Sequence, residues 1–166
     1  MEPNRYEPPR ARLRADQREP GSIAKAVFVG SVIDIGGTML GGIVLGLLYS
    51  IVLGIQGRSA AEIQQNLNTL DPMSPFGLVL MAMGTAMSAL GGYQCAVIAN
   101  RTTYLAPGIM SIVSVASSAM LSGGQTELPT LLFLSGLTVA AILGGASFYI
   151  RKLVPPLPPE RPQSPE

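Results

Sequence analysis

The stretch VIDIGGTMLGGIVLG, residues 32–46, places one aspartate, Asp34, among apolar and glycine residues. It belongs to a long apolar segment, Ala26–Ile55, which exceeds the ~20 residues that an α-helix needs to cross the hydrocarbon core of a bilayer. The segment is also longer than the ~7–15 apolar residues of a secretory signal peptide. The sequence therefore predicts an uncleaved membrane-spanning helix that carries one acidic side chain.

The chain as a whole is more apolar than an ordinary soluble domain of its length. Of its 166 residues, 48% are hydrophobic and only 13% are charged, and the mean hydropathy is +0.39. Four runs are long and apolar enough to span a membrane, namely Ala26–Ile55, Phe76–Ala99, Tyr104–Ser122 and Leu128–Ile150. The predicted fold is an all-α membrane protein with four transmembrane helices in a domain that covers residues 22–152.

The segments outside the apolar runs are polar. Residues 1–21 and 153–166 are rich in proline and charge, which predicts two disordered tails. Between the first two spans, Ser59 and Glu62 have the spacing of a capping box, and apolar residues follow at helical intervals. This connector is predicted to be either a short amphipathic helix or a partly ordered loop.

The basic residues indicate the orientation of the spans. Of the eleven Lys and Arg residues, ten precede the first span, lie between the second and third, or follow the fourth, and the exception is Arg58. Loops on the cytoplasmic side of a membrane carry an excess of Lys and Arg. Both termini are therefore predicted to be cytoplasmic.

Small residues recur at four-residue steps in every predicted span. Close backbone approach holds helices together in lipid, where there is little hydrophobic drive between them. The glycines predicted to pack helices, within one chain or between chains, are Gly37, Gly41, Gly84, Gly92, Gly136 and Gly144. The tripeptide LGG occurs at residues 90–92 and again at 143–145. This repeat either reflects two helical hairpins related by a pseudo-twofold axis or arises by chance.

Asp34 is expected to need a partner, because a charge at the centre of a membrane helix costs roughly 2.5–3.5 kcal/mol. Counting inward from the cytoplasmic ends of the spans places Tyr93 and Gln94 at a similar depth, and Arg101 in the turn below. These three residues are the predicted partners. Three roles stay open for the aspartate: an interhelical hydrogen bond, a proton or cation site in a transport path, or an interface with another membrane subunit.

Several function classes are disfavoured by composition. The absence of histidine removes the commonest general base and metal ligand, and the single cysteine, Cys95, cannot form an internal disulfide or a CxxC site. The net charge of +1 disfavours a nucleic-acid interface. No nucleophile–base pair is evident, so neither an enzymatic activity nor a cofactor is predicted.

The segments LGGYQCAVIANR (90–101), ILGGASFYIRK (142–152) and VIDIGGT (32–38) resemble a group of small four-span bacterial inner-membrane proteins. In that group the second span ends in a Gly-Gly-Tyr-x-Ala-x-x-x-Ala pattern before a basic turn. Gly91, Gly92, Tyr93 and Ala99 match it, whereas Cys95 replaces an alanine. Val97 stands where a basic residue is frequent, and a histidine common at the start of the third span is absent. The resemblance covers roughly residues 23–152 and implies the topology and a bacterial inner membrane, but no biochemical activity.

Two functions follow as hypotheses. The first is a non-enzymatic membrane component that packs with a partner, which would be a second copy of the chain or another membrane protein in the same bilayer. The alternative is a small proton- or cation-coupled transporter in which Asp34 is the coupling site.

Overall fold

The structure, a computed structural model, describes residues 20–121 and 128–153, and this part of the chain is all-helical. A first long helix, Ile23–Ile55, consists of α1 (Ile23–Ser31), a π-helical segment (Val32–Gly36) and α2 (Gly37–Ile55). It is followed by α3 (Ala60–Asn68), α4 (Pro75–Ala99), α5 (Leu105–Leu121) and α6 (Leu128–Leu153). Most of the two predicted disordered tails, residues 1–19 and 154–166, lies outside the described residues.

Three of these helices are long and apolar enough to cross a membrane: Ile23–Ile55, Pro75–Ala99 and Leu128–Leu153. The helix α5 is apolar as well, but its 17 residues correspond to only about 26 Å of helix. The all-helical class and three helices of spanning length are therefore confirmed for the described residues. The fourth span stays a prediction.

Local sequence signals explain where the helices begin and end. The hydroxyl of Ser59 accepts from the backbone N–H of Glu62 at 3.3 Å, and the Glu62 carboxylate accepts from the backbone N–H of Ser59 at 2.8 Å. This is the predicted capping box, and it confirms that the connector forms a short helix. At the start of α4 the hydroxyl of Ser74 accepts from the backbone N–H of Gly77, and Pro75 occupies the first helical position. The C-cap of α4 is Asn100, which has a left-handed backbone (φ 46°).

The centre of the bundle is α4, whose consecutive glycines face two different helices. A Cβ atom on Gly91 would lie 2.7 Å from the carbonyl oxygen of Gly30 in α1. A Cβ atom on Gly92 would overlap the backbone of Ile142 in α6, with the Ile142 Cα at 2.8 Å. Because any larger residue would push these helices apart, Gly91 and Gly92 let α4 contact both neighbours at backbone distance.

The contact between α4 and α6, the most extensive in the bundle, is reciprocal. A Cβ atom on Gly145 would overlap the backbone of Ala89, just as one on Gly92 would overlap Ile142. Each glycine thus packs on the residue three positions before the other glycine. The predicted packing residue in α6, Gly144, is exposed and has no atom within 4 Å of such a Cβ. Within the chain, Gly145 makes this contact and the predicted Gly144 does not, because consecutive helical residues point about 100° apart.

The other predicted packing glycines divide into two groups. Gly37 and Gly41 of α2 lie against the flexible side chains of Met87 and Met83, and a Cβ atom on Gly84 would lie 3.7 Å from a methyl group of Thr38. A Cβ atom on Gly136 would have no neighbour within 4 Å among the described residues, so Gly136 makes no close helix contact there. The α2 half of the first helix therefore rests on α4 through methionine side chains, whereas the α1 half meets it backbone to backbone.

The buried core lies at one end of the bundle, which we call the packed end. Its members come from α1, α4, α5 and α6: Ala26, Cys95, Ala99, Ala106, Met110 and Ile142. At this end Tyr149, near the end of α6, donates to the side chain of Asn100, which caps α4. At the opposite end the first turns of α4 and α6 are separated by a cleft, which is lined by Gly77 on one helix and Leu131 on the other. The helices α4 and α6 therefore run parallel, closely packed at one end and separated at the other.

Candidate functional site

Asp34 is buried inside the π-helical segment, with only 4% of its surface exposed. The hydroxyl of Ser88 in α4 donates a hydrogen bond to Oδ1 of Asp34 at 2.6 Å. Single π-helical turns inside α-helices are rare, and many of those that are known lie at functional sites. This one separates the tightly packed α1 from the loosely packed α2 and carries the only acidic residue of the first helix.

No basic partner compensates the carboxylate of Asp34 in the part of the chain that the structure describes. The ion pair found there, between Arg58 and Glu62, lies on α3 and the turn before it. An isolated charge in an apolar interior is costly unless an opposite charge or a proton accompanies it. Among the described residues, Asp34 therefore has a hydroxyl partner, Ser88, and no basic one.

Asp34 and Ser88 line the inner part of a cleft that has two compartments. The smaller compartment, of about 150 Å³, contains the acid, and we call it the polar compartment. Apolar residues line it too (Ile35, Met39 and Leu121), and its hydroxyl side chains are those of Thr38, Ser88, Ser117, Ser118 and Thr138. The apolar compartment, of about 380 Å³, lies between α4, α5 and α6 and extends to Leu70 and Pro72 in the connector after α3. Thr38, Gly84, Ser118 and Thr138 border both compartments, so the two adjoin.

The surroundings of Asp34 differ on its two sides. Towards the packed end, Gly91 approaches so closely that a Cβ there would lie 3.1 Å from the Cβ of Asp34 and 2.7 Å from the Cε of Met110. Away from the packed end, the cleft begins at Asp34 itself. A small molecule that entered the cleft would therefore reach the carboxylate and be stopped there by the core.

Two further hydroxyl groups close to this region are buried without a hydrogen-bond partner among the described residues. Ser31 precedes Asp34 by three positions, and Ser114 precedes Ser118 by four. Residues at these spacings lie on the same side of a helix. Buried hydroxyl groups usually form at least one hydrogen bond. The region around Asp34 therefore has more hydrogen-bonding capacity than its own side chains use.

The structure places the predicted partners of Asp34 elsewhere. Tyr93 stacks edge-on against Tyr149, with ring centroids 6.1 Å apart. Gln94 is exposed, and Arg101 is exposed in the turn after α4. About 16 Å of helix separates Ser88 from the end of α4, which leaves Arg101 far along the bundle from the carboxylate.

The predicted partners do not include Ser88, although it lies four residues from two predicted packing residues, Gly84 and Gly92. On a helix, Ser88 shares a face with Gly91, Gly92 and Cys95, which are all buried here. At 100° per residue, Gln94 is turned about 120° away from Ser88. Depth alone identified the correct neighbourhood, next to Gly91, but the rotation of α4 decided which side chain reaches the acid.

No group of three or more Cys, Asp or Glu residues suited to a metal ion occurs within residues 20–121 and 128–153. No protein-family model, curated protein or solved structure matches this chain. The resemblance to the four-span bacterial group therefore stays a prediction. The function has to be inferred from the geometry of the cleft.

Proposed function

We propose that this protein is a small integral membrane protein that binds a solute in the cleft and exchanges it, or a proton, at Asp34. The role is that of a small proton- or cation-coupled transporter. The observation that supports it best is the position of a buried, uncompensated carboxylate where the cleft meets the packed core. Ionisable residues inside membrane helices usually mark substrate or proton paths.

The proposal includes the four-span topology and the orientation. In it, α5 is the remaining span, and the basic residues Lys25, Arg101, Arg151 and Lys152 lie on the cytoplasmic side together with the packed end. The cleft then opens towards the outside of a bacterial inner membrane. The parallel arrangement of α4 and α6 and their reciprocal glycine contacts agree with two helical hairpins related by a pseudo-twofold axis.

A second candidate is that the protein packs with a membrane partner, with Asp34 only fixing the bundle. The observation that favours it is the unoccupied face of α2, where Gly42, Gly46 and Gly54 have no atom within 4 Å of a Cβ position. These glycines and Ser50 follow one another at four-residue steps, which suits close helix approach. If this face contacts a partner, replacing Gly46 with Leu should shift the oligomeric state in detergent. If Gly46 faces lipid instead, the same substitution should leave the oligomeric state unchanged.

Carbodiimide labelling tests whether Asp34 is reached through the cleft. Dicyclohexylcarbodiimide is apolar and adds to protonated carboxyl groups, so the modified residue is identified by peptide mass spectrometry. Membranes that contain the wild-type protein should show labelling of Asp34. Leu at Gly84, which borders both compartments, should obstruct the path and reduce labelling severalfold.

The matched control is Gly136→Leu, because Gly136 is also a helical glycine with open space around it but lines neither compartment. In the Gly136→Leu variant, Asp34 should be labelled at the same rate as in the wild type. If Asp34 is unlabelled at every pH, or if Gly84→Leu labels as fast as Gly136→Leu, the cleft is not the route to the acid and the transporter proposal fails.

A further inference from the structure

We infer that the ligand of this cleft is an amphipathic monocation, a protonated amine attached to an apolar body, with its ammonium group at Asp34 and its body between α4, α5 and α6. This inference rests on the proposed function and names the chemical class of the solute. It follows from the charge, the hydrogen-bonding groups and the shape of the lining.

The charge of the lining selects a cation. Asp34 is the only ionisable side chain among the described residues that border the cleft. No Lys or Arg within residues 20–121 and 128–153 borders it, so an anionic ligand would meet a negative charge without compensation in a medium of low polarity. A ligand with one positive charge would instead neutralise the carboxylate.

The hydroxyl group beside the acid favours a hydrogen-bond donor. The proton of the Ser88 hydroxyl is already donated to Asp34 at 2.6 Å. A hydroxyl group has one proton to donate, so the Ser88 oxygen can only accept from a ligand. The carboxylate and this oxygen are neighbouring acceptors, which suits the N–H groups of an ammonium ion.

The absence of aromatic rings in the lining separates amines from quaternary ammonium ions. Quaternary heads have no N–H to donate and are typically recognised by aromatic cages. No Phe or Tyr borders either compartment in the described residues, and the stacked pair Tyr49–Phe76 lies outside both linings. A head that bears N–H groups therefore fits the polar compartment better than a trimethylammonium head.

The two compartments together set the shape of the ligand. The larger one is walled mainly by aliphatic side chains such as Leu80, Leu134 and Leu137. Its volume of about 380 Å³ lies near the lower end of the range for small-molecule sites, ~300–1,000 Å³. It suits a body of one ring or a branched chain, and a head in the adjoining polar compartment would lie beside Asp34.

The test compares matched probes on the full chain in phosphatidylcholine nanodiscs by isothermal titration calorimetry, with empty nanodiscs as the blank. The probes are 2-phenylethylamine, its neutral analogue 2-phenylethanol, its trimethylated quaternary form, and 3-phenylpropionate. We expect the amine to bind at least about tenfold more tightly than each of the others. In Asp34→Asn this preference should disappear, and Gly84→Leu should weaken amine binding whereas Gly136→Leu should not.

A labelling experiment on the wild type avoids reliance on variants that fold poorly. The amine at saturating concentration should slow carbodiimide labelling of Asp34, and the alcohol at the same concentration should not. Equal affinity for the amine and the alcohol would overturn the assignment of a cationic ligand. If Gly84→Leu also abolished the binding of both probes, the cleft would still be a binding site. Amine binding unaffected by Asp34→Asn, or no binding of any probe, would also overturn the assignment of a cationic ligand. In that case labelling of Asp34 without probes decides separately whether the proposed function survives.

Discussion

Replacement of Gly145 by alanine tests the packing of the bundle, because its neighbour Gly144 provides a control on the same helix. A methyl group at Gly145 would lie 2.7 Å from the carbonyl carbon of Ala89 and would overlap the attached oxygen. Ordinary contacts between carbon atoms are about 3.5–4.0 Å, so α4 and α6 would have to separate by roughly 1 Å. Such overpacking typically costs about 1–3 kcal/mol of the free energy of unfolding.

The control isolates this cost from helix propensity. Alanine is favoured over glycine in a helix by up to about 1 kcal/mol, and both substitutions gain this term. Gly144→Ala introduces no contact within 4 Å, so it should be neutral or slightly stabilising. The expected difference between the two variants is therefore about 1–3 kcal/mol, with Gly145→Ala the less stable.

The measurement is unfolding of each purified variant by sodium dodecyl sulfate in mixed micelles, followed by circular dichroism. Gly92→Ala should behave like Gly145→Ala, since Gly92 meets the backbone of Ile142 in the same way. Equal stability of Gly145→Ala and Gly144→Ala would refute the backbone contact between α4 and α6.

Three further predictions concern the acid, the connector and the topology. Ser88→Ala removes the donor to Asp34 and should lower the free energy of unfolding by about 0.5–2 kcal/mol, the range for hydrogen bonds between membrane helices; an unchanged unfolding midpoint would contradict the bond. Hydrogen bonds from the backbone N–H and the hydroxyl of Ser59 hold the pKa of the Glu62 carboxyl below its ordinary value of 4.5. The capping box should therefore be intact above pH 4.5 and be lost as the pH falls through the lowered pKa. An NMR titration should find the Glu62 carboxyl titrating at higher pH in Ser59→Ala, and identical titrations would refute this cause. Reporter fusions after residues 57, 101, 125 and 166 should read outside, inside, outside and inside, and an external C-terminus would overturn the orientation.

The extents of the long helices were predictable because each apolar run in the sequence ends where polar and charged residues begin. The expected span Phe76–Ala99 corresponds to a helix at Pro75–Ala99, and Leu128–Ile150 to one at Leu128–Leu153. The capping box at Ser59 was also visible, since it depends only on local spacing. Each of these features is encoded within a few residues of where it occurs.

The rotation of the helices could not be predicted in the same way. A helix in lipid is apolar on all sides, so no amphipathic pattern marks the face that packs against its neighbours. For this reason Gly144 was chosen where Gly145 makes the contact, and Tyr93 and Gln94 where Ser88 reaches Asp34. The cleft depends on four helices at once, and no single segment of sequence indicates it.

The π-helical segment around Asp34 was not predicted either. Its residues, VIDIG, show the same apolar pattern as the α-helical turns beside them. The segment lies against α4, and the Ser88 hydroxyl of α4 donates to Asp34 across this contact. The position of Asp34, the one acidic residue in the first helix, therefore depends on a contact with a distant part of the chain and not on the local sequence pattern.

The central claim is that Asp34 acts as an ionisable group and not as a packing residue, and Asp34→Asn tests it most directly. Asparagine keeps the size of aspartate and can still accept the hydrogen bond from Ser88, but it cannot take up or release a proton. The variant is expressed in a host strain that lacks the chain, and its cellular phenotype, protein level and thermal stability are compared with those of the wild type. We expect normal level and stability together with loss of complementation. Full complementation by Asp34→Asn at normal protein level would contradict the claim and would leave Asp34 with a role in packing alone.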